Sequence, residues 1–190
     1  MTADLLPALI SIGLDVLLLF AVGLFVYFGQ SLHWTKQSAP FVPVRRSAID
    51  TIIETLRLTP DSILYDLGSG DGRVLLSAYA VEPSARYIGF ELHLFPHILA
   101  KWSAISRGVS MKNVKLIHGD FTTAPITSAT HVFLYLTTSV LDTLYPKLLQ
   151  ELHPGTRVVT CDFQFSQKQP REVVILPKNR LNSKLYVYEF

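Results

Sequence analysis

The stretch LYDLGSGDGRV, residues 64–74, places three glycines at alternate positions directly after an apolar run. The residues before the glycines, 62–65, predict a short buried strand, and residues 73–80 predict the start of a helix. Glycine permits positive φ and lets a ligand approach the main chain closely. A strand, a glycine turn and a helix in this order expose backbone N–H groups at a helix N-terminus. The stretch therefore predicts a ligand-binding turn in an α/β fold.

The glycine spacing argues against two common nucleotide motifs. The dinucleotide fingerprint requires a third glycine three positions after the second, and Arg73 stands there. The phosphate loop requires a Lys-Ser or Lys-Thr pair after its glycines, and the chain has neither at this place. The turn is therefore predicted to bind something other than NAD or a nucleoside triphosphate.

Composition sets broad limits on the class of protein. The 190 residues suggest one globular domain with an appendage. A net charge of +2 does not by itself imply a nucleic-acid partner. The lone Cys161 excludes an intrachain disulfide, so nothing in the sequence requires an oxidising compartment.

An apolar run near the N-terminus predicts a membrane anchor. Residues 5–28, about 24 residues, are long enough to cross a hydrocarbon core of roughly 30 Å as a helix. A cleaved signal peptide fits less well, because the run lacks a basic start and an A-x-A site. A buried globular helix is rarely this apolar on all faces. We therefore predict a transmembrane anchor over residues 1–29.

The charges beside the anchor predict its orientation. Only Asp4 precedes the apolar run, whereas Lys36, Arg45 and Arg46 follow it closely. The positive-inside rule then places the rest of the chain on the cytoplasmic side of a single-pass membrane protein.

A proline-containing linker is predicted over residues 30–43, and one domain over 44–190. Within that domain strand patterns alternate with helix patterns, which predicts a doubly wound, mostly parallel sheet. The connection 164–170 is too short for a parallel crossover, so the last strands are predicted to pair antiparallel at a sheet edge. The predicted strands are 62–65, 86–92, 114–118, 130–136, 156–163, 172–176 and 184–190, and the predicted helices are 47–58, 73–80, 95–107 and 140–152.

Three acidic residues lie at or just after the C-terminal ends of consecutive predicted strands, where a doubly wound sheet binds its ligand. Glu91 lies at the distance from the glycine turn at which a carboxylate accepts hydrogen bonds from ribose hydroxyls. Asp120 would contact an adenine amino group with Phe121 against the ring, and Asp66 or the glycine backbone would hold a cationic tail. S-adenosylmethionine fits this set. Each residue also has a structural alternative: an Asx turn or cap for either Asp, and a solvated strand end for Glu91.

Several motifs resemble known methyltransferases. DLGSGDGR (66–73), GFEL (89–92) and HGDF (118–121) resemble the binding motifs of class I, seven-strand S-adenosylmethionine-dependent methyltransferases, which implies a Rossmann-like sheet. More narrowly, residues 39–53, 132–152 and 154–165 are similar to membrane-anchored protein-lysine methyltransferases, the prokaryotic relatives of the ATP synthase c-subunit lysine methyltransferase. Residues 137–139, Thr-Thr-Ser, depart from the family, since many relatives carry a proline there.

The resemblance implies a set of site residues. It implies that the PFVP segment, with Phe41 and Pro43, closes over cofactor and lysine channel, although Phe41 could equally pack against the following helix. Tyr135, Asp162 and Phe163 are the predicted catalytic residues at the ends of the fourth and fifth strands, with Phe165 as a further channel wall. No metal site is predicted. The predicted S-adenosylmethionine contacts are Asp66, Gly68, Ser69, Gly70, Asp71, Gly72, Glu91, Asp120 and Phe121.

Three functions stay open at this stage. The first is methylation of a lysine on a membrane-associated protein, with the bilayer as a second partner through the N-terminal helix. The second is methylation of a lipid, quinone or other small molecule at the membrane. The third is an inactive scaffold that binds S-adenosylmethionine. A nucleic-acid substrate is not expected, because the chain has no long cationic face.

Overall fold

The computed structural model describes residues 5–32, 42–176 and 183–190, which fall in two compact units, Met1–Ser38 and Ala39–Phe190. The first unit contains helix α1, Leu5–Leu32. Its side chains are described at residue 7 and over 9–25, and all of these are exposed. Within the described part of the chain, no helix combines the length and the hydropathy that a membrane span needs. The transmembrane anchor predicted for 1–29 is therefore not supported and stays a prediction.

The second unit is a seven-stranded sheet flanked by helices. The strands are β1 Ile63–Leu67, β2 Arg86–Glu91, β3 Val114–His118, β4 His131–Leu134, β5 Arg157–Cys161, β6 Glu172–Ile175 and β7 Lys184–Glu189, and the helices are α2 Ile49–Leu56, α3 Arg73–Val81, α4 Leu94–Ser106 and α5 Thr138–Glu151. The order of the strands in the sheet is β3-β2-β1-β4-β5-β7-β6. The first five strands pair in parallel, and β7 pairs antiparallel with both β5 and β6.

This architecture confirms the predicted α/β sheet, which is mostly parallel with antiparallel strands at its C-terminal edge. The last two strands, β6 and β7, pair antiparallel as predicted, but β7 lies inside the sheet against β5 and β6 forms the edge. The connection 162–171 takes the chain from β5 past the position of β7 to the edge strand β6, and β7 then pairs between the two. A strand that lies between two neighbours pairs on both sides, which protects its polar groups better than an edge position would.

The sheet separates two apolar clusters, as a layered α/β fold requires. All five residues of β1 are buried because the strand lies at the centre of the sheet. On one face, Ile52 and Leu56 of α2 pack with Leu75 of α3. On the other face, Leu141 and Leu148 of α5 form the second cluster with residues of β4 and β5.

Close packing between α3 and the sheet predicts a stability effect at Gly89 of β2. A Cβ added there would lie 2.5 Å from Leu75 Cδ1 and 2.8 Å from Ser69 Oγ. We expect Gly89→Ala to lower the free energy of unfolding by about 1–3 kcal/mol, the usual cost of overpacking a core. Urea denaturation measures the change. Gly119→Ala is the matched control, because its Cβ would meet no atom closer than Ile117 Cγ2 at 3.9 Å. Equal stability of the two variants would contradict the prediction.

Candidate functional site

The glycine turn between β1 and α3 adopts a conformation that side chains disfavour. Gly68, Gly70 and Gly72 have φ angles of 94°, 57° and 74°, all in the left-handed region. The N–H groups of Gly68 and Ser69 both donate to the carbonyl oxygen of Phe90, each at 2.9 Å. The turn is thereby attached to the end of the neighbouring strand β2.

Glu91, the last residue of β2, fixes the same turn through its side chain. The carboxylate is buried, and its Oε2 accepts from the Gly70 N–H at 2.8 Å. Its Oε1 accepts from the His93 N–H, also at 2.8 Å. An ionised carboxylate offers about four acceptor positions, so two remain for ligand hydroxyls. Glu91 therefore braces the turn, a role that the sequence did not predict, and keeps the capacity for the predicted ribose contact.

Asp66 lies buried at the end of β1, directly before the turn. Burial, the charge of Glu91 and the charge of Asp71 raise its pKa to about 8. A carboxyl group in these surroundings would be stabilised in its ionised form by a cation. The position therefore suits the cationic tail that the sequence pattern assigns to it.

Arg73 forms a clamp that the sequence did not predict. Its Nε donates to Asp71 Oδ1 at 2.8 Å and its Nη2 to Asp71 Oδ2 at 2.5 Å, while Nη1 donates to the Val44 carbonyl oxygen at 2.6 Å. Burial acts to raise the pKa of Asp71, but the hydrogen bonds and charge of Arg73 outweigh it and hold that pKa below its usual range. Arg73 thus joins the glycine turn to Val44, which directly follows the PFVP segment predicted to close over the cofactor. The spacing of Asp71 and Arg73, two residues apart, was the signal in the sequence for their ion pair.

The third predicted acidic residue, Asp120, lies just beyond β3. It is exposed, and its Oδ1 accepts from the Thr122 N–H at 2.8 Å, as in an Asx turn. The neighbouring Gly119 N–H donates to the Glu91 carbonyl oxygen at 3.0 Å, which brings this loop against the end of β2. Phe121 is half-buried and packs against the apolar cluster beside α5. The ends of β1, β2 and β3 thus present Asp66, Glu91 and Asp120 in neighbouring positions.

Tyr135, Asp162 and Phe163 meet at the ends of β4 and β5. Tyr135 Oη donates to Asp162 Oδ2 at 2.9 Å, and the rings of Tyr135 and Phe163 are 6.4 Å apart. Burial and the contact with Asp162 raise the pKa of Tyr135, although the positive charge of Arg45 opposes this shift. The phenol therefore stays neutral at physiological pH.

Asp162 has two unusual features. Its φ of 63° lies in the left-handed region, where residues other than glycine are uncommon. Its Oδ1 is buried and has no hydrogen-bond partner among the described residues. An unpaired buried acceptor is costly, since the group has lost its water without gaining a donor. The arrangement fits a site for an external hydrogen-bond donor.

The remaining predicted residues divide into three cases. Phe41 lies outside the described residues. Pro43 is described and exposed. Phe165 is buried, with ring contacts to Tyr188 and Phe190, and its role as a channel wall stays a prediction. No group of three or more His, Cys, Asp and Glu side chains could hold a metal ion in the ranges that the structure describes.

Comparison with known proteins decides the family. The model of the ANTKMT methyltransferase domain matches residues 66–172. A protein-lysine N-methyltransferase of Saccharolobus islandicus is 32% identical over 149 residues, which cover 78% of this chain and 92% of the relative. The chain belongs to the ANTKMT methyltransferase-domain family. It is an S-adenosylmethionine-dependent methyltransferase of the protein-lysine group, as the motifs predicted.

Two eukaryotic lysine methyltransferases extend this comparison. The Homo sapiens lysine N-methyltransferase of the ATP synthase c-subunit is 28% identical over 138 residues, covering 73% of this chain and 58% of that protein. The adenine nucleotide translocase lysine N-methyltransferase of Mus musculus is 33% identical over 141 residues, covering 73% and 59%. This methyltransferase thus spans less than two thirds of either relative.

A solved structure supports the cofactor. An RNA methyltransferase from Salinibacter ruber, crystallised with S-adenosyl-L-homocysteine, superposes with a TM-score of 0.71 at 34% identity and covers 78% of this chain and 93% of its own. S-adenosyl-L-homocysteine is what S-adenosylmethionine becomes after it gives up its methyl group. The cofactor of this methyltransferase is therefore S-adenosylmethionine.

The raised pKa of Asp66 predicts how stability depends on pH. Without cofactor, the folded chain keeps this proton up to about pH 8, whereas the unfolded chain loses it near the ordinary pKa of 3.8. The folded state binds the extra proton within this window, so the free energy of unfolding should fall as pH rises through it. Asp66→Asn should remove this component. Denaturation of both proteins across the window provides the test.

The difference between the two curves isolates Asp66. His131, whose pKa burial lowers to about 4, contributes in the opposite direction but is common to both proteins. Curves that stay parallel across the window would show that Asp66 is already ionised without cofactor.

Proposed function

We propose that this methyltransferase modifies a lysine side chain on a membrane-associated protein. The observation that carries the lysine assignment is the buried, unpartnered Oδ1 of Asp162 beside Tyr135, as far as the described residues extend. A carboxylate oxygen in this position matches an ammonium group, which carries three donors and a positive charge.

On the cofactor side, the glycine turn and three carboxylates form the binding surface. S-adenosylmethionine, when bound, supplies an electrophilic methyl group on a positively charged sulfur. The main chain of Gly68 to Gly72 would contact the methionine tail, with Asp66 toward its ammonium group. Glu91 would accept from the ribose hydroxyls. Ser69 and Asp71 would complete the turn, and Asp120 and Phe121 would contact the adenine.

On the acceptor side, the chain must orient a lysine nitrogen and help it become neutral. Asp162 Oδ1 would accept from the incoming ammonium and fix its position. Tyr135 Oη already donates its proton to Asp162, so its lone pairs would accept a second N–H. Partial burial and the positive sulfur of the cofactor would lower the pKa of the lysine, whereas the negative charge of Asp162 would raise it. Asp162 is therefore the group placed to take the proton that the nitrogen must lose before it attacks the methyl carbon. The half-exposed ring of Phe163 would cover the lysine methylene groups.

The membrane part of the proposal rests on the first unit. The described side chains of α1 include many large apolar residues that are exposed, among them Leu19 and Phe25. Such a surface is stabilised in lipid rather than in water. The apolar run 5–28 continues beyond the side chains that the structure describes. We propose that this whole run anchors the enzyme as a single-pass protein with its catalytic unit on the cytoplasmic side, in line with the basic residues that follow it. Tethering would raise the effective concentration of a membrane-bound substrate.

Asp162→Asn tests the acceptor site directly. Asparagine tolerates the left-handed backbone, so the turn should stay intact. An amide NH₂ in place of Oδ1 would donate rather than accept, and it would repel the substrate ammonium. We expect the rate of methyl transfer to fall by about a hundredfold, within the usual range for a group that assists proton transfer. Cofactor affinity, measured by calorimetry, should stay within about twofold of wild type.

Two further results bear on this role. Tyr135→Phe keeps the ring packing but removes the hydroxyl, and it should slow transfer without weakening cofactor binding. An Asp162→Asn enzyme that turns over at the wild-type rate would exclude Asp162 from the reaction.

The substrate class is tested with methyl-labelled S-adenosylmethionine. The full chain and membranes from cells that lack it are incubated together, and protein, lipid and RNA fractions are separated. We expect label in a protein band, released as methyl-lysine on hydrolysis, and none with Asp66→Ala. Label in the organic phase would favour a lipid or quinone substrate.

Two other outcomes contradict the proposal. Label in RNA would favour the activity for which the Salinibacter ruber neighbour is described. Cofactor binding without label in any fraction would favour the inactive scaffold.

A further inference from the structure

Helix α4 has an exposed apolar face that the methyl-transfer site does not use. Phe95, Ile98, Trp102 and Ile105 follow one another at intervals of three, four and three residues, so they lie on one side of the helix. All four are exposed, Trp102 by 68% and Ile105 by 73%. We call this set the α4 stripe.

The opposite side of α4 is the one that packs on the sheet. Pro96, His97, Ala100 and Ala104 are buried there. The helix is therefore apolar on its inner and outer sides, whereas a surface helix of a soluble domain normally carries polar residues outward. A contiguous exposed apolar face of this kind marks an interaction site.

The charges around the stripe indicate an anionic partner. Residues 92–119 contain no Asp or Glu, but they contain Lys101, Arg107, Lys112 and Lys115. All four basic residues are exposed. Lys101 lies next to Trp102 on α4, and Arg107 follows the end of the helix. An exposed apolar helix face with basic neighbours and a tryptophan is typical of helices that lie on an anionic membrane surface.

We propose that the α4 stripe rests on an anionic lipid bilayer, with Trp102 at the boundary between the headgroups and the acyl chains. A second copy of the chain fits less well, because a two-fold contact between identical stripes would bring the same basic residues together. RNA fits less well too, because the two rings of the stripe, Phe95 and Trp102, are separated along the helix by the aliphatic Ile98, on which a base cannot stack.

This contact would orient the catalytic unit. α4 begins three residues after Glu91, so its N-terminal end lies at the same ends of the strands as the glycine turn. The exposed side chains of Leu92 and Leu94 extend the apolar surface toward these strand ends. A bilayer under the stripe would hold the methyl-transfer site beside the membrane surface. The proposal requires neither transfer activity nor a particular methyl acceptor.

Tryptophan fluorescence of the full chain tests the contact. The chain has two tryptophans, so Trp34→Phe leaves Trp102 as the reporter. Vesicles of phosphatidylcholine with about 30% phosphatidylglycerol carry bromine on their acyl chains, which quenches only tryptophans that reach the lipid. The matched control carries Trp34→Phe, Trp102→Phe and Ile175→Trp. Position 175 is equally exposed, at 71%, but lies on β6 at the opposite edge of the sheet.

We expect bromolipid to reduce the emission of Trp102 at least about twofold more than that of the tryptophan at position 175. Because both proteins retain α1, the difference does not depend on how α1 meets the membrane. Lys101→Glu with Arg107→Glu should reduce the quenching of Trp102 in the anionic vesicles.

Three results would overturn the proposal. The first is equal quenching at positions 102 and 175. The second is quenching of Trp102 that is unchanged by the charge reversals. The third is protection of Trp102 from acrylamide by a single-stranded RNA oligonucleotide but not by vesicles.

Discussion

The hydrogen bonds between the glycine turn and the end of β2 are the constraint on which the rest of the site depends. Two backbone N–H groups of the turn converge on the Phe90 carbonyl oxygen, and a third reaches the carboxylate of Glu91. These contacts hold three left-handed glycines in one arrangement. Because α3 starts directly after Gly72, they also set where that helix begins on the sheet.

A consequence of this arrangement is a concentration of negative charge. Asp71 and Glu91 lie close enough to Asp66 to raise its pKa, and Asp71 is paired with Arg73. The carboxylate of Glu91 accepts hydrogen bonds from two backbone N–H groups, which stabilise its negative charge. Asp66 has the least compensation and is buried, so it keeps its proton. A cationic ligand relieves this repulsion, which explains in electrostatic terms why the turn suits a cofactor with an ammonium group and a positive sulfur.

The parts of the fold that the sequence predicted are those controlled by local pattern. β3 was predicted at its observed bounds because apolar residues alternate along it, and the glycine turn was found because its backbone angles require glycine. Neither the position of β7 inside the sheet nor the Arg73 contact to Val44 has a local pattern. Both depend on residues that are distant along the chain. The packing of Phe165 has no local pattern either, because it depends on ring contacts with Tyr188 and Phe190.

The two halves of the site use the left-handed backbone in different ways. At the glycine turn, the left-handed conformation occurs at residues without side chains, which leaves the main chain accessible to the cofactor. At the end of β5 it occurs at Asp162, where a glycine would avoid a cost of about 1–2 kcal/mol. The aspartate instead directs its carboxylate toward Tyr135 and leaves one buried oxygen without a donor among the described residues. Backbone strain and an unpaired acceptor both destabilise the folded chain when it stands alone. An incoming ammonium group would remove the second cost, so substrate binding and the stability of this turn should be coupled.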